Sequence, residues 1–580
     1  MAPLTRDSHA TRSFPTPRLT ISMRQRPLLA VLLVTLAACA RGDRPATGGT
    51  DGGTLVISVG ADADALLPPL TSNVTSVQVS SLIFEHLAEP KEKIDAIGDA
   101  GWTGKLARSW HWAPDSLSIA FDIDPRAHWH DGRPVRASDV RFTWRLYTDP
   151  RTGSDVGPLL ANIDSVTVRD SVTAVFWFAH RRPDEFFDAA FQMRILPEHL
   201  LAGVPHDQLQ ASDFARHPVG SGPYRFARWV PRQTLELVAD TTYHLGRPHV
   251  DRLIWSIAGD PDAALLRVLS GEADMIESLR PADIAEVAKH HELKTVRYPT
   301  MAYAYLLFNE RDPGNLHRPH PVFADRSVRR ALTMALDRQA LVRSVFDTMA
   351  TVSVGPVTHA LATYDSTVVQ IPFAPDSARA LLDAAGWRDT NGDGVREKHG
   401  RPLRFAILVP SSSTPRMRMA VLMQQMFKAV GVQADIDQMD FPTVNQRLAS
   451  RQFDAVINAM VSDGNPATVR QNWSIPAARA RDGGNAGSYE SPTFDALVDS
   501  ASAQMNATAA HAYYHRAYQV LVDDAPAVWL YEPVTFAAMQ TRIHPVGMRA
   551  DMWWANIDQW YIPAAERIAR DRLGVVDARD

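Results

Sequence analysis

LARSWHWAPDSLSIAFDIDPRAHWHDGRPVRASDV, residues 106–140, is the stretch on which the reading of the fold turns. Within it, Leu117 to Ile123 (LSIAFDI) alternates apolar and polar residues, the period of a half-buried strand. His128 and His130 are alternate residues that would share one face of a strand, and with His111 nearby they raise the question of a metal pair.

Outward from this block, Val172 to Phe178 (VTAVFWF) is a nearly continuous apolar run suited to a buried strand. On the N-terminal side, Thr54 to Val59 is a β-branched run, followed by a helix expected over Val74 to Ala88. Toward the C-terminus, the Gly and Pro residues of Val219 to Tyr224 mark a sharp turn before a strand over Tyr224 to Trp229. Apolar residues from Val328 to Val345 recur near 3.6-residue spacing, which predicts one amphipathic helix over Asp325 to Phe346. Pro375 and Gly386 bracket another helix, Pro at its start and Gly just past its end. Strands over Leu403 to Val409 and Phe453 to Met460 flank a helix over Met417 to Val430. No fixed-period repeat is visible, and the mixture predicts an α/β protein of several lobes.

Composition narrows the class. The 580 residues carry 60 Lys+Arg against 65 Asp+Glu, a net charge of −5, with 45% hydrophobic and 22% charged residues. These values exclude a disordered, collagen-like or polytopic membrane chain, and at about 150 residues per domain they allow about four domain-sized units. The slight acidity offers no general attraction to nucleic acid. One cysteine, Cys39, rules out an intramolecular disulfide and a Cys-built zinc or iron–sulfur site. It follows a basic pair (Arg24, Arg26) and an apolar run from Leu28 to Ala38, the layout of a secretory signal too short to span a bilayer. Leu36-Ala37-Ala38-Cys39 resembles the lipobox of bacterial lipoproteins, which implies cleavage before Cys39 and lipidation of its thiol. Residues 1–38 are accordingly read as an upstream segment and signal peptide, with Met23 as an alternative start, and residues 39–53 as the lipidated Cys and a polar, Gly-rich tether.

Six blocks together resemble family 5 of the extracellular solute-binding proteins, the peptide, dipeptide and nickel binders that serve ABC importers. They are residues 106–140, His217 to Tyr224 (HPVGSGPY), Val328 to Arg338 (VRRALTMALDR), Ala378 to Trp387, Asp389 to Glu397, and Asn485 to Leu497. The resemblance implies an α/β, two-lobed, type II periplasmic-binding-protein-like fold with an extra third subdomain. Lobe I is expected over residues 54–100, 215–315 and 525–580, the extra subdomain over 101–214 and lobe II over 316–524. The implied function is that of an extracytoplasmic, membrane-anchored, monomeric binder. It would capture a peptide or peptide-like small polar solute between its lobes and deliver it to ABC permease subunits driven by cytoplasmic ATPases. A same-fold sensor or chaperone uncoupled from transport, and a surface-anchored hydrolase, are the alternatives.

In peptide-binding relatives an aspartate at the place of Asp463 pairs with the ligand α-ammonium, sensible because either charge alone is costly to desolvate. The alternative is a loop aspartate capping a turn. Relatives often carry Trp three residues earlier, where this chain has Met460. Tyr489, Trp529, Tyr531 and Trp473 are the aromatic candidates for the cleft, since such rings give large contact area for few torsions. Trp110 is assigned to structure. Asp389 to Gly394 begins like an EF-hand loop, but position 12 is Gly400 rather than Glu, so a turn is expected and no calcium. Within the resemblance the Trp-His-Asp-Gly segment is a turn, which makes His128 and His130 structural. No metal, no cofactor and no catalytic residue is expected: there is no Gly-x-Ser-x-Gly elbow and no Walker loop.

Overall fold

The computed structural model describes residues 51–572 except Asp463, Ala467 and Asp482. The signal peptide, Cys39, most of the tether and Asp463 therefore lie outside the described residues. Among the described residues no helix is long and apolar enough to cross a membrane.

A twelve-stranded sheet organises the chain around one long strand, Ala527–Gln540. Its first part pairs with Ala302–Phe308 and its second part with Leu293–Pro299, both antiparallel. The chain thus crosses twice between two half-sheets, once through Pro299 to Ala302 and once through Glu532 to Val534. The first half-sheet holds Thr54–Val59, Tyr224–Val230, Thr234–Ala239, Arg252–Ile257 and Met275–Ile276. The second holds Arg404–Pro410, Gln433–Met439 and Ala455–Val461.

This register sets the crossovers at Pro299 to Ala302 and at Glu532 to Val534. Ala302–Phe308 pairs with Ala455–Val461 along its whole length, and Ala304, Leu306 and Phe308 pack in the core of the second half-sheet with Val528 and Leu530. Strand partners some 150 residues distant decide where such a boundary falls.

Residues between the first two strands of the large sheet build a separate four-stranded antiparallel layer, Ala107–Trp112, Ser118–Ile123, Thr173–Phe178 and Ile163–Val168, within the expected extra subdomain. The N-terminal strand is tied in by a buried ion pair. Asp274 accepts from the Val56 amide at 2.8 Å and pairs with Arg542 at 2.6 Å, so the carboxylate enters the core fully bonded.

The long helix expected over Asp325 to Phe346 is two helices, Arg326–Met334 and Arg338–Phe346. The break is chemical: Asp337 turns its carboxylate onto the Ala340 amide at 2.9 Å and caps the second helix, a bond that competes with helix continuation. The helix expected over Val74 to Ala88 is Val74–Ile83, capped by Asn73 and shorter than expected. Pro375–Ala384 ends as predicted, with Gly386 in the left-handed region at φ +86°.

Candidate functional site

Strand direction locates the crevice. Ala302–Phe308 runs outward from the crossing, and Ala455–Val461 lies antiparallel to it, so Val461 returns to the crossing. Arg404–Pro410 is parallel to Ala455–Val461, and Gln433–Met439 is parallel to Arg404–Pro410, which brings Pro410 and Met439 to the same edge. In the first half-sheet Met275–Ile276 runs antiparallel to the outgoing central strand, and Thr54–Val59 and Arg252–Ile257 follow it. The carboxyl ends of both half-sheets therefore face the crossing, the place where open α/β sheets bind ligands.

Four aromatic residues pack at this crossing. Tyr303 and Tyr305 share one face of their strand, and Trp529 sits opposite Tyr305 in the register. Ring centroids lie 5.1 Å apart for Trp473 and Trp529, 5.7 Å for Tyr305 and Trp473, and 6.1 Å for Tyr303 and Trp529. Such tilted pairs contribute about 0.5–1.5 kcal/mol each beyond burial. Tyr303 donates at 3.3 Å to Sδ of Met460, a soft, adaptable side chain. The indole N–H of Trp529 is buried without a hydrogen-bond partner, although its residue is only 2% exposed.

Of the sequence candidates, Trp473 and Trp529 are thus brought together, with Tyr303 and Tyr305, which sequence reading missed. Tyr531 lies on the far side of a bulge, its ring 4.3 Å from Phe346. Tyr489 stands apart: its hydroxyl donates to Asp524 at 2.7 Å and its backbone is held by Asn485. Burial, with the Asp524 charge beside it, pushes the Tyr489 hydroxyl well above the usual phenol range.

On the first half-sheet, Glu277 follows the carboxyl end of its strand and accepts from Trp553 Nε1 at 2.8 Å and from Gln78. Burial raises its pKa. At the crossing itself a recess of about 350 Å³ is lined by Arg297, Thr300, Thr351, His359, Glu532 and Pro533. Glu532 is buried and accepts from the His359 amide at 3.1 Å, with His359 Nδ1 at 2.7 Å. A lone Glu or His in a sequence carries no signal that would have found these.

The two sides are in contact. Ile94 bridges Leu361, the Ala362 amide donates to Ile94 O at 3.1 Å, and Asn465 donates to Asp184 at 2.9 Å. His511 Nε2 stands 3.2 Å from Asp95.

The histidines near the four-stranded layer go to different partners. His128 contacts Arg126 O and Thr242, and His111 lies 3.4 Å from Asp122. His130 takes up Gly222 O and the Gly220 amide, and burial lowers its pKa to about 4. In the loop that begins at Asp389, the carboxylates of Asp389, Asp393 and Glu397 converge. They are engaged by the loop's own amides, from Gly392 and Gly394 to Asp389 and from Thr390 to Glu397. Trp110 Nε1 donates to Asp99 at 2.8 Å within an aromatic core.

The model of bacterial extracellular solute-binding proteins, family 5 Middle, matches residues 101–479. The oligopeptide-binding protein AppA of Bacillus subtilis (strain 168) is 25% identical over 551 residues, covering 92% of this chain and 97% of its own length. The structure of AppA in complex with a nonapeptide superposes with a TM-score of 0.66 at 24% identity, covering 89% of this chain and 99% of that one. The ABC transporter substrate-binding protein CtaP of Listeria monocytogenes superposes at 0.74 with 22% identity, covering 88% and 99%. At these identities the superpositions speak for the fold.

Proposed function

The chain belongs to the bacterial extracellular solute-binding proteins of family 5, and from that premise we propose that it is the extracytoplasmic substrate-binding component of an ABC importer, capturing peptides in the crevice between its half-sheets and handing them to the permease. The observation that carries this reading is the convergence of both sets of strand carboxyl ends on an aromatic floor at the double crossing. Among the described residues two chain crossings join the halves in the sheet, a connection that can flex as a hinge. Ligand contacts to both halves stabilise the closed form, and the permease responds to that shift in population. No bond is made or broken in this cycle.

In the same reading Asp463 pairs with the ligand α-ammonium, Cys39 carries the lipid that anchors a monomer to the membrane, and the extra layer over residues 101–214 is a separate subdomain. Two acyl signals on one Cys suffice for stable anchoring where one does not.

Thermal-shift measurements with tri- to pentapeptides test the proposal. Peptides are expected to raise the melting temperature, and N-acetylation of a binding peptide is expected to weaken it strongly by removing the charge opposite Asp463. A panel that produces no shift overturns peptide capture, and an undiminished acetylated peptide overturns the role of Asp463.

A further inference from the structure

Glu277 directly follows the strand Met275–Ile276, whose carboxyl end faces the crossing. Its backbone carbonyl accepts from the Tyr298 hydroxyl at 2.8 Å, and Tyr298 lines the recess of about 350 Å³ at the crossing. One carboxylate oxygen, Oε2, takes both side-chain donors, Trp553 Nε1 at 2.8 Å and Gln78 Nε2. Those donors are themselves fixed. Gln78 is fully buried and accepts from Trp255 Nε1 at 3.0 Å, and the Trp553 ring packs 5.5 Å from Trp554 and 5.7 Å from Trp560. The other oxygen, Oε1, accepts from none of the described residues, and the residue is half-buried, so Oε1 is open to a partner in the crevice.

This acid has no cation beside it. Other acids of the two half-sheets meet one: Asp274 pairs with Arg542 at 2.6 Å, Glu89 with Arg549 at 3.1 Å and Glu310 with Arg329 at 3.2 Å. Among the described residues no Lys, Arg or His pairs with Glu277, and its two donors are neutral. Arg297 lines the recess but is exposed, where salt screens its charge over about 10 Å. A partly desolvated carboxylate held by neutral donors is half of an ion pair. A water on Oε1 supplies a hydrogen bond but no charge, whereas a cationic N–H donor makes a bond about twice as strong as a neutral one. Because Oε2 is held from two sides, little side-chain freedom is lost when a donor reaches Oε1.

We propose that Glu277 is a specificity-determining residue: its Oε1 receives the ammonium or guanidinium of a basic side chain in the captured peptide, so the crevice favours peptides carrying Lys or Arg. This rests on the crevice being the solute site and adds the side-chain class selected there. In that reading Asp463 answers the ligand α-ammonium, whereas Glu277 stands on the first half-sheet and reads a side chain.

Calorimetric titration of the purified full-length protein with trialanine analogues tests it. Each of the three positions carries in turn lysine or norleucine, which keeps the apolar stem and lacks the charge. In at least one position the lysine peptide is expected to bind at least 10-fold more tightly than its norleucine counterpart. Glu277→Gln, which still accepts from Trp553 and Gln78, is expected to bind the two alike. Should that variant not fold, Glu277→Asp, withdrawn by one methylene, is expected to reduce the preference. Equal binding of lysine and norleucine peptides at all three positions by the unaltered protein overturns the assignment, as does an undiminished preference in the folded variant. Failure of every peptide to bind, norleucine included, overturns instead the reading of the crevice as a peptide site, and the assignment with it.

Discussion

Asn465 donates its side-chain amide to Asp184 Oδ2 at 2.9 Å, a bond between residues 281 positions apart. It joins the loop after Val461, at the mouth of the crevice, to the residue that precedes the short helix Glu185–Ala190. Arg182 pairs with the same carboxylate, so the acceptor is charged and held.

Because a hydrogen bond to a charged group contributes about 1.5–3 kcal/mol, Asn465→Ala is expected to weaken ligand binding about 10-fold by destabilising the closed form. Small-angle scattering of the ligand-free variant should report a larger radius of gyration. Unchanged affinity and unchanged dimensions would show that this contact does not hold the halves together.

Trp529→Phe separates packing from donation. The indole N–H is buried without a partner, and such a group costs about 1–3 kcal/mol, so its removal is expected to leave the ligand-free protein as stable or more stable. If a solute accepts from this N–H, affinity falls in the same variant. A destabilised free protein with intact affinity would contradict both halves of the argument.

Burial pushes the Glu85 carboxyl up to about 8, with Tyr243 donating to it at 2.6 Å. Folded Glu85 therefore holds its proton at neutral pH whereas unfolded Glu85 is ionised. The folded state binds more protons between the two values, so stability falls as pH rises from about 4.5 to 8. At 1.36 kcal/mol per unit the loss between pH 5 and 8 is about 4 kcal/mol at most. Denaturant unfolding at both pH values measures it, and Glu85→Gln, which still accepts from Tyr243, is expected to flatten the slope. An identical slope in the variant would assign the dependence elsewhere.

In the turn HPVGSGPY, a Cβ on Gly220 or Gly222 would fall well inside contact distance of backbone carbonyls at Leu82 and Ile83, and the Gly222 amide donates to Ile83 O at 2.8 Å. Backbone cannot retreat as a side-chain tip can. Gly220→Ala is expected to cost about 1–3 kcal/mol by overpacking, visible as a lowered melting temperature. By contrast, Gly203→Ala, with open space around it, should have little effect.

Several features were legible before any coordinates because they depend on short stretches of chain. The strands Ser118–Ile123 and Thr173–Phe178 follow from alternation and apolar runs, and the helix Pro375–Ala384 from its own Pro and Gly. Six blocks in order carried the family, and two of the four aromatic residues at the crossing, Trp473 and Trp529, were named because the resemblance places their segments around the cleft. The break at Asp337 was missed because the 3.6-residue apolar period continues through it, while the cap bond depends on one carboxylate choosing an amide.

The sequence by itself determined the fold class and the family. Only the tertiary structure decided where the chain crosses between halves, which strand ends meet, and that Glu532 and Tyr305 belong near the same crevice. The reason is the central strand Ala527–Gln540, which takes partners from residues 275–308 and 350–351 and so joins parts of the chain more than 170 residues away. Local periodicity records which face of a strand is buried. It holds no record of which distant strand lies beside it, and it is that pairing which brings a floor of rings and a buried acid together.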